Sequence, residues 1–586
     1  MIRTIAWVRN NWKSQAVIVV AAMIAIAPMF WRGAPCEGDF RFHLVSWLDA
    51  QHSVVMALWN PHWANSANLG AGEPRFMFYP PLNWILGATL GMVLPWSAVP
   101  VLMLFLLLAC TGLANRALAR EAMDEGPATL AGCAAIFLGF ALLTAYKRGA
   151  YGEMAGGLWV PLILLFLLRR RNPAGGVVAS AFDGSVTPLA LAVAGACLSN
   201  APLAVMCLYV ILGISLVSSL LERSGAPAVR AAAGLLLGGS VAGVYLIPAF
   251  VERGWINLRY AITAPHYRVE NGWLFAHHAD PKLYVHDILL RQVSWVAVGM
   301  LTVTVVGALI AWKRGRLPGP ARWWIPLLLI APAVLFLLLP VSLFVWNLLP
   351  ELRILQFPWR WLVVLEAPMA TFFAAAVWTA NTKGRAVVAG ACALVFVLIV
   401  AGVDHYWFMH CGNMGARIEE SFYAGEGTSG KFEYGPPQAR RAVVERELPS
   451  TCLLIDEDGA PGLEDLAPGP AWDGAIERCS GQFQVNFAIP EHKEVAGVAD
   501  HAGYLVLRLR DYPAWKVTLN GQPVQAVPDS LYGLIAIPVP KGKVDVHVDW
   551  TTTDDVLVGR VVSVVAVFLL GLVDVAEGRR ARRRLS

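Results

Sequence analysis

The side chains best placed to do chemistry lie between Cys36 and Leu82, in the stretch CEGDFRFHLVSWLDAQHSVVMALWNPHWANSANLGAGEPRFMFYPPL. It follows the first long apolar run and sets Asp39, His43 and Asp49 among aromatic residues, ending in Tyr79-Pro80-Pro81. Ionisable groups held at a membrane surface mark a functional site by default. A carboxylate at Asp39 suits a general base or a cation ligand. If the residues from Phe40 to Gln51 are helical, His43 shares its face. The competing reading pairs Asp39 with Arg41 as an interface ion pair, and the residues alone leave both open.

Four further segments carry candidates. In Tyr146-Lys147-Arg148-Gly149-Ala150-Tyr151-Gly152-Glu153, Lys147 and Arg148 suit a phosphate, Arg by its planar fork, and Glu153 offers a second carboxylate. The alternative is a charged hairpin in which Arg148 and Glu153 neutralise each other. In LRILQFPWRW, from Leu352 to Trp361, Arg353, Gln356 and Arg360 alternate with apolar and aromatic residues, a pattern fit for a lipid phosphate or a sugar and equally for interface anchoring. Ser199-Asn200-Ala201-Pro202 interrupts an apolar run and either brings Asn200 to the same pocket or makes a tight turn. The loop from Glu252 to Arg291 holds His266, His277, His278, Asp280, His286 and Asp287. No two histidines there share helical i, i+4 spacing, so it reads as solvated loop chemistry before it reads as a metal site. Walker, GxSxG and HExxH motifs are missing from the sequence, so energy for a reaction must arrive in the substrate.

The elements that position these residues follow from composition. Of 586 residues, 57% are hydrophobic and 15% charged, far from the roughly one-quarter charged residues of soluble domains. The chain reads as a polytopic membrane protein. Its net charge of +5 sits in short basic runs that report orientation and not nucleic-acid binding. Spans of about 20 apolar residues are predicted near 15–31, 97–115, 127–146, 157–168, 187–199, 203–221, 229–250, 293–312, 323–341, 360–379, 386–404 and 556–577. The stretch from Trp84 to Trp96 would be a thirteenth, but a full crossing would place the arginines at 169–171 outside, so it is expected to be juxtamembrane or re-entrant. No cleavable signal is apparent, and the first helix is expected to stay as an anchor. Both termini are then cytoplasmic. The loop 32–82, the loop from Glu252 to Arg291, the turn from Leu343 to Trp359 and an insertion from His405 to Asp554 are external. Three units result: a membrane domain 1–404, an external β-rich domain 405–554, and a last helix with a basic tail, 555–586.

Within the insertion, YLVLRL, WKVTL and VDVHVDW alternate with period two, and Asn520-Gly521 is a type I′ hairpin signal. A two-sheet antiparallel sandwich of roughly 100 residues is expected, packed over the turn from Leu343 to Trp359. Of nine cysteines, Cys36, Cys411, Cys452 and Cys479 fall outside the membrane. Cys452 with Cys479 is the expected disulfide, and Cys36 and Cys411 follow helices that leave on the same face and so can meet.

GDFRFH after the first helix, FYPPL closing its loop, RGAYGE and ILQFPWRW, taken in order, resemble bacterial membrane proteins described as carrying a 6-pyruvoyl-tetrahydropterin-synthase-related domain. These in turn are similar to GT-C glycosyltransferases, including bacterial members with a "YPGWK" β-domain, matched here by Tyr512-Pro513-Ala514-Trp515-Lys516. The ligand set of the soluble zinc enzyme is not present. The GT-C resemblance implies a catalytic Asp39 in the first external loop, a polyprenyl-phosphate sugar donor, and a glycan, lipid or protein acceptor on the outer face of the bacterial cytoplasmic membrane. Tyr79 and His43 would line the substrate pocket with Arg148, Asn200, Arg353, Gln356 and Arg360, and Glu153 would be a second catalytic carboxylate. Where the family signature often shows paired acidic residues, this chain has Glu37 and Asp39 split by Gly38, which leaves the need for a divalent cation open. Two other classes compete: a lipid-linked glycan transporter, which ordinarily shows midplane charges or internal repeats, and a non-catalytic envelope-polysaccharide assembly protein.

Overall fold

Inside a bilayer a backbone amide has no water to bond, so long apolar runs close their hydrogen bonds as helices. The computed structural model of the protein describes residues 12–169, 176–410, 412–441, 443–454 and 469–583. Eight helices in it are long and apolar enough to cross a membrane: Val99–Ala119, Glu125–Arg148, Tyr151–Leu168, Ala201–Glu222, Pro281–Lys313, Pro358–Val377, Thr382–Tyr406 and Asp554–Glu577. Two further apolar pairs are bent, Ala226–Val241 with Gly243–Trp255 by 77° and Ala321–Leu337 with Pro340–Leu348 by 92°. Together with the shorter apolar helices Trp12–Ala25 and Val186–Ser199, these elements coincide with the twelve predicted segments. The chain is a polytopic helical membrane protein with a β domain near its C-terminus. The thirteenth stretch yields only the 11-residue helix Pro81–Gly91, about 16 Å long at 1.5 Å per residue, which is half of the roughly 30 Å hydrocarbon core.

Helix Leu362–Val377 is buried along nearly its whole length and packs against Tyr284–Lys313, Glu125–Phe137 and Gly156–Leu168. Arg360 stands one turn before it, so this spine fixes where that guanidinium emerges. The Glu125–Arg148 span is broken at Leu138-Gly139, where Glu366 of the spine crowds Gly139. It then ends in a single π-turn, Thr144–Arg148, and a left-handed Gly149.

The β domain is a sandwich of ten strands: β1 Thr451–Leu454, β2 Cys479–Ser480, β3 Gln482–Asn486, β4 His492–Ala499, β5 Gly503–Arg510, β6 Trp515–Leu519, β7 Gln522–Val524, β8 Val527–Pro528, β9 Leu534–Val539 and β10 Gly542–Trp550. They form two five-stranded sheets, β2-β1-β5-β9-β8 and β3-β4-β10-β6-β7, with every pairing antiparallel. Alternation decides the inner face: Val544, Val546 and Val548 of β10 are fully buried, while the residues between them face outward. Asn520 and Gly521 have φ of 52° and 78° and join β6 to β7 in a two-residue turn, as a type I′ hairpin requires. A disulfide joins Cys452 to Cys479. Cys36 is also disulfide-bonded; Cys411 lies outside the described residues.

The sandwich stands on the first loop and on Glu252–Trp255, and this corrects the expected position over Leu343 to Trp359. Trp63 of the loop inserts among Tyr512, Trp515 and Trp550, with ring centroids 6.2, 5.3 and 5.8 Å away. The Tyr512 hydroxyl donates to Glu252, whose other oxygen accepts from Thr553 Oγ1 at 2.9 Å. Lys493 Nζ donates to Asn65 Oδ1 at 2.7 Å. The turn near 350 instead grips the loop before the long helix: Gln356 Nε2 donates to the Ala261 carbonyl at 2.8 Å, and Arg353 Nη2 to Glu270 at 2.7 Å.

Candidate active site

Two glycines bring distant segments into backbone contact. Gly38 has φ +62°, and a Cβ on it would lie 2.0 Å from the Arg148 carbonyl oxygen; Gly149, at φ +53°, would place one 2.8 Å from the Glu37 carbonyl oxygen. Only glycine takes such backbone positions at no steric cost. Between them the Asp39 N–H donates to the Arg148 carbonyl at 2.8 Å. The GD and RG dipeptides are therefore one interlocked structural unit.

This unit forms one wall of a cavity of about 340 Å³. Asp39, His43, Tyr79, Arg148, Glu153, Asn200, Gln356 and Arg360 all line it. Arg148 grips Glu153 by two parallel bonds, Nη1 to Oε1 at 2.6 Å and Nη2 to Oε2 at 2.8 Å. Arg360 Nε donates to the same Oε2 at 3.1 Å, and its Nη1 donates to the Leu355 carbonyl at 2.8 Å and to Gln356 Oε1 at 3.2 Å. Two guanidinium groups share the Glu153 carboxylate, and a second carboxylate of the chamber, Asp39, is left to balance the other positive charge across open space. Among the described residues, Arg360 Nη2 finds no protein acceptor, and the Asp39 carboxylate has no hydrogen-bond or ion-pair partner.

The remaining residues divide by what they touch. No ion pair joins Asp39 to Arg41, which is exposed. Glu37, the other acid of the split pair, is taken by Lys147 Nζ, 2.6 Å from Oε2, so two carboxylates do not converge beside Gly38. Glu153, proposed from sequence as catalytic, has both oxygens bonded by arginine donors and orients them. Arg353, assigned to the substrate pocket, is not in the cavity lining. Its guanidinium is spent on Glu270 and Asn347. Asn200 caps helix Ala201–Glu222, its Oδ1 accepting from Leu203 N at 3.0 Å.

His43 lies in an aromatic box of Phe42, Trp47, Tyr79 and Tyr151. Trp47 Nε1–H, which can only donate, bonds Asn83 Oδ1 at 3.0 Å. Since His43 Nδ1 meets the same oxygen at 3.2 Å, Nδ1 carries the proton and Nε2 is left as the acceptor. Burial, only partly opposed by Asp39, pushes the imidazole down to about 4, so it is neutral at physiological pH. Burial likewise pushes the Tyr79 hydroxyl up, with Asp39 adding to it, which keeps it protonated.

Sequence reasoning missed Tyr267, Lys431, Glu433 and Tyr434, which also line the cavity. Lys431 stacks over Phe42, its Nζ 5.0 Å from the ring centre, and no carboxylate lies within ion-pair distance of it among the described residues. Burial raises Glu433, and Lys431 pulls it back. A second, largely apolar cavity of about 580 Å³, walled by Val205, Tyr245, Leu246 and Phe250, shares Phe78, Ala201, Ile354, Glu433 and Tyr434 with the first. A polar chamber and an apolar groove thus meet across one wall.

No known protein family matches the chain, and no curated protein matches it either. Among solved structures it is similar to the cryo-electron-microscopy structure of arabinofuranosyltransferase AftD from mycobacteria, with 16% identity and a TM-score of 0.41 over 68% of this chain and 26% of that one. The chain therefore spans about a quarter of AftD, and a likeness this distant says nothing of its activity.

Proposed function

We propose that the protein is a GT-C-type membrane glycosyltransferase that moves a sugar from a polyprenyl-phosphate carrier to a glycan, lipid or protein acceptor on the outer face of the bacterial cytoplasmic membrane. The observation that carries this reading is the junction of the apolar groove with a polar chamber holding an unpaired carboxylate and an unspent guanidinium edge. An amphipathic donor fits both halves: its prenyl tail in the groove between Ala201–Glu222 and Gly243–Val251, its phosphate against Arg360 Nη2 and Lys431, its sugar before Asp39. The orientation is supported by charge. Arg120, Arg316 and Arg385 line a cleft at the Glu125 end of the same span whose Arg148 end meets Asp39, as the positive-inside bias favours for a site on the outer side.

The acceptor hydroxyl gives its proton to the Asp39 carboxylate as its oxygen bonds the anomeric carbon. The bond from that carbon to the phosphate oxygen breaks, and its electron pair leaves with the polyprenyl phosphate. Arg360, oriented by Glu153, and Lys431 stabilise the charge that grows there. Attack opposite the leaving group inverts the anomeric centre. Incubating purified protein with a panel of polyprenyl-phosphate sugars, with mass spectrometry of released polyprenyl phosphate, tests the reading. Release by the wild type and not by Asp39→Asn supports it; donors that bind without release in the presence of varied acceptors would point to the transporter or assembly classes.

A further inference from the structure

The outward face of the sheet β3-β4-β10-β6-β7 carries a histidine and carboxylate grid that takes no part in the cavity. His492 and Glu494 alternate on β4, and Asp545, His547 and Asp549 alternate on β10, with His547 directly opposite Glu494 and Asp549 opposite His492. One nitrogen of each imidazole turns toward Glu494 Oε1: His492 Nε2 at 3.0 Å and His547 Nδ1 at 3.8 Å. The other nitrogen of each has a carboxylate of its own, His492 Nδ1 with Asp549 Oδ1 at 2.5 Å and His547 Nε2 with Asp545 Oδ1 at 3.4 Å. Ligand atoms from His492, Glu494 and His547 lie within 4.8 Å of one another.

We propose that His492, Glu494 and His547 form a binding site for a divalent transition-metal ion, with zinc the best fit. Two imidazole nitrogens and a carboxylate oxygen are a borderline donor set that suits zinc, copper or nickel and disfavours calcium or magnesium. At zinc bond lengths of about 2.0–2.1 Å, tetrahedral ligand atoms stand roughly 3.3 Å apart, and the observed 3.0 and 3.8 Å bracket that value. Ion-pair geometry alone would not require both histidines to turn the far nitrogen to a separate acid. In metal sites that arrangement fixes the tautomer and leaves the near nitrogen free to bind. The three ligands are partly exposed, with side chains 31, 43 and 38% accessible, so water can fill the remaining coordination position. The ion would join β4 to β10 across the sheet.

The test uses the untagged full-length protein in detergent, stripped with chelator and titrated with Zn²⁺, and in parallel with Co²⁺, whose visible absorption reports coordination geometry. The wild type is expected to bind one equivalent more Zn²⁺ than a His492→Ala/His547→Ala double variant, and His278→Ala is expected to bind as the wild type does. Asp549→Asn, which keeps all three ligands, should weaken Zn²⁺ by about 10- to 100-fold. Equal binding by the wild type and the double variant, or no binding at micromolar Zn²⁺, overturns the proposal and leaves a cross-strand salt-bridge patch. Thermal unfolding of each variant without metal checks that it folds.

Discussion

Two buried arginine–glutamate clusters lie close together in this protein, and they differ in what they leave unused. In the first loop, Glu73 and Arg75 are 0 and 1% exposed. Arg75 Nε donates to Glu73 Oε1 at 2.8 Å, and its Nη1 donates to Ser46 Oγ at 3.1 Å. Glu73 Oε2 accepts from Asn68 Nδ2 at 3.2 Å and from the Lys431 N–H at 2.9 Å. Both Glu73 oxygens are filled by donors, so this cluster holds the loop to its neighbours. At Glu153 the residue types are the same and the burial is nearly as deep, but a second guanidinium enters, Arg360 Nη2 meets open cavity, and the balancing carboxylate, Asp39, lines the same cavity without a hydrogen bond. A buried ion pair does not by itself mark a site; unused donors and an unused carboxylate at a cavity wall do.

The difference can be broken from either side. Asp39→Asn should cost the largest factor, about 10²- to 10⁴-fold in transfer rate, with donor affinity and unfolding temperature close to wild type. A folded variant that keeps its rate removes Asp39 as the base. Glu73→Gln should instead act on the fold, losing about 3–5 kcal/mol because buried Arg75 loses the carboxylate it is bonded to, seen as a lowered thermal midpoint. Between the clusters lies His43, held down at about 4 by burial against an ordinary 6.5. The unfolded chain takes up this proton first, so stability is full above pH 6.5 and declines as pH falls toward 4, by on the order of 3 kcal/mol. His43→Gln should flatten that acid limb; an unchanged limb would assign it to other groups. Arg360→Ala should weaken donor binding by about 1.5–3 kcal/mol, the range for a charged hydrogen bond, with a smaller effect on turnover of bound donor. Smallest is Lys431→Met, about 1 kcal/mol or less in donor affinity and fading at high salt.

Much of this geometry was legible from helix ends. Asp39, Arg148, Asn200 and Arg360 each flank a long apolar run, and such positions gather at a membrane surface whatever their distance in sequence. The hairpin at Asn520-Gly521 was legible because two successive positive φ values leave few residue choices. Arg353 was misplaced because Leu352–Leu355 is a 3-10 turn, in which alternation with aromatics does not tell which side chain turns inward. Lys431, Glu433 and Tyr434 had no periodicity to announce them. Their segment is set by backbone bonds to the first loop, Thr428 N to the Ser66 carbonyl at 2.7 Å and Leu69 N to the Thr428 carbonyl at 2.8 Å, and such partners leave no mark on side-chain pattern. The sandwich was placed over the wrong turn because scattered contacts from Trp63, Asn65, Glu252 and Trp255, and not a long hydrophobic face, provide its foothold.

Lys431 has one more consequence. It lies after the Thr382–Tyr406 helix, yet its backbone is bonded to Glu73 and its ammonium sits on Phe42, both in the first loop. While the ribosome is still threading the middle helices into the bilayer, the chamber lacks this wall. A nascent chain therefore cannot assemble the complete pocket until the segment beyond that helix has emerged and folded back. Synthesis order alone imposes a delay, so that truncated products would be inserted in the membrane without a finished chamber.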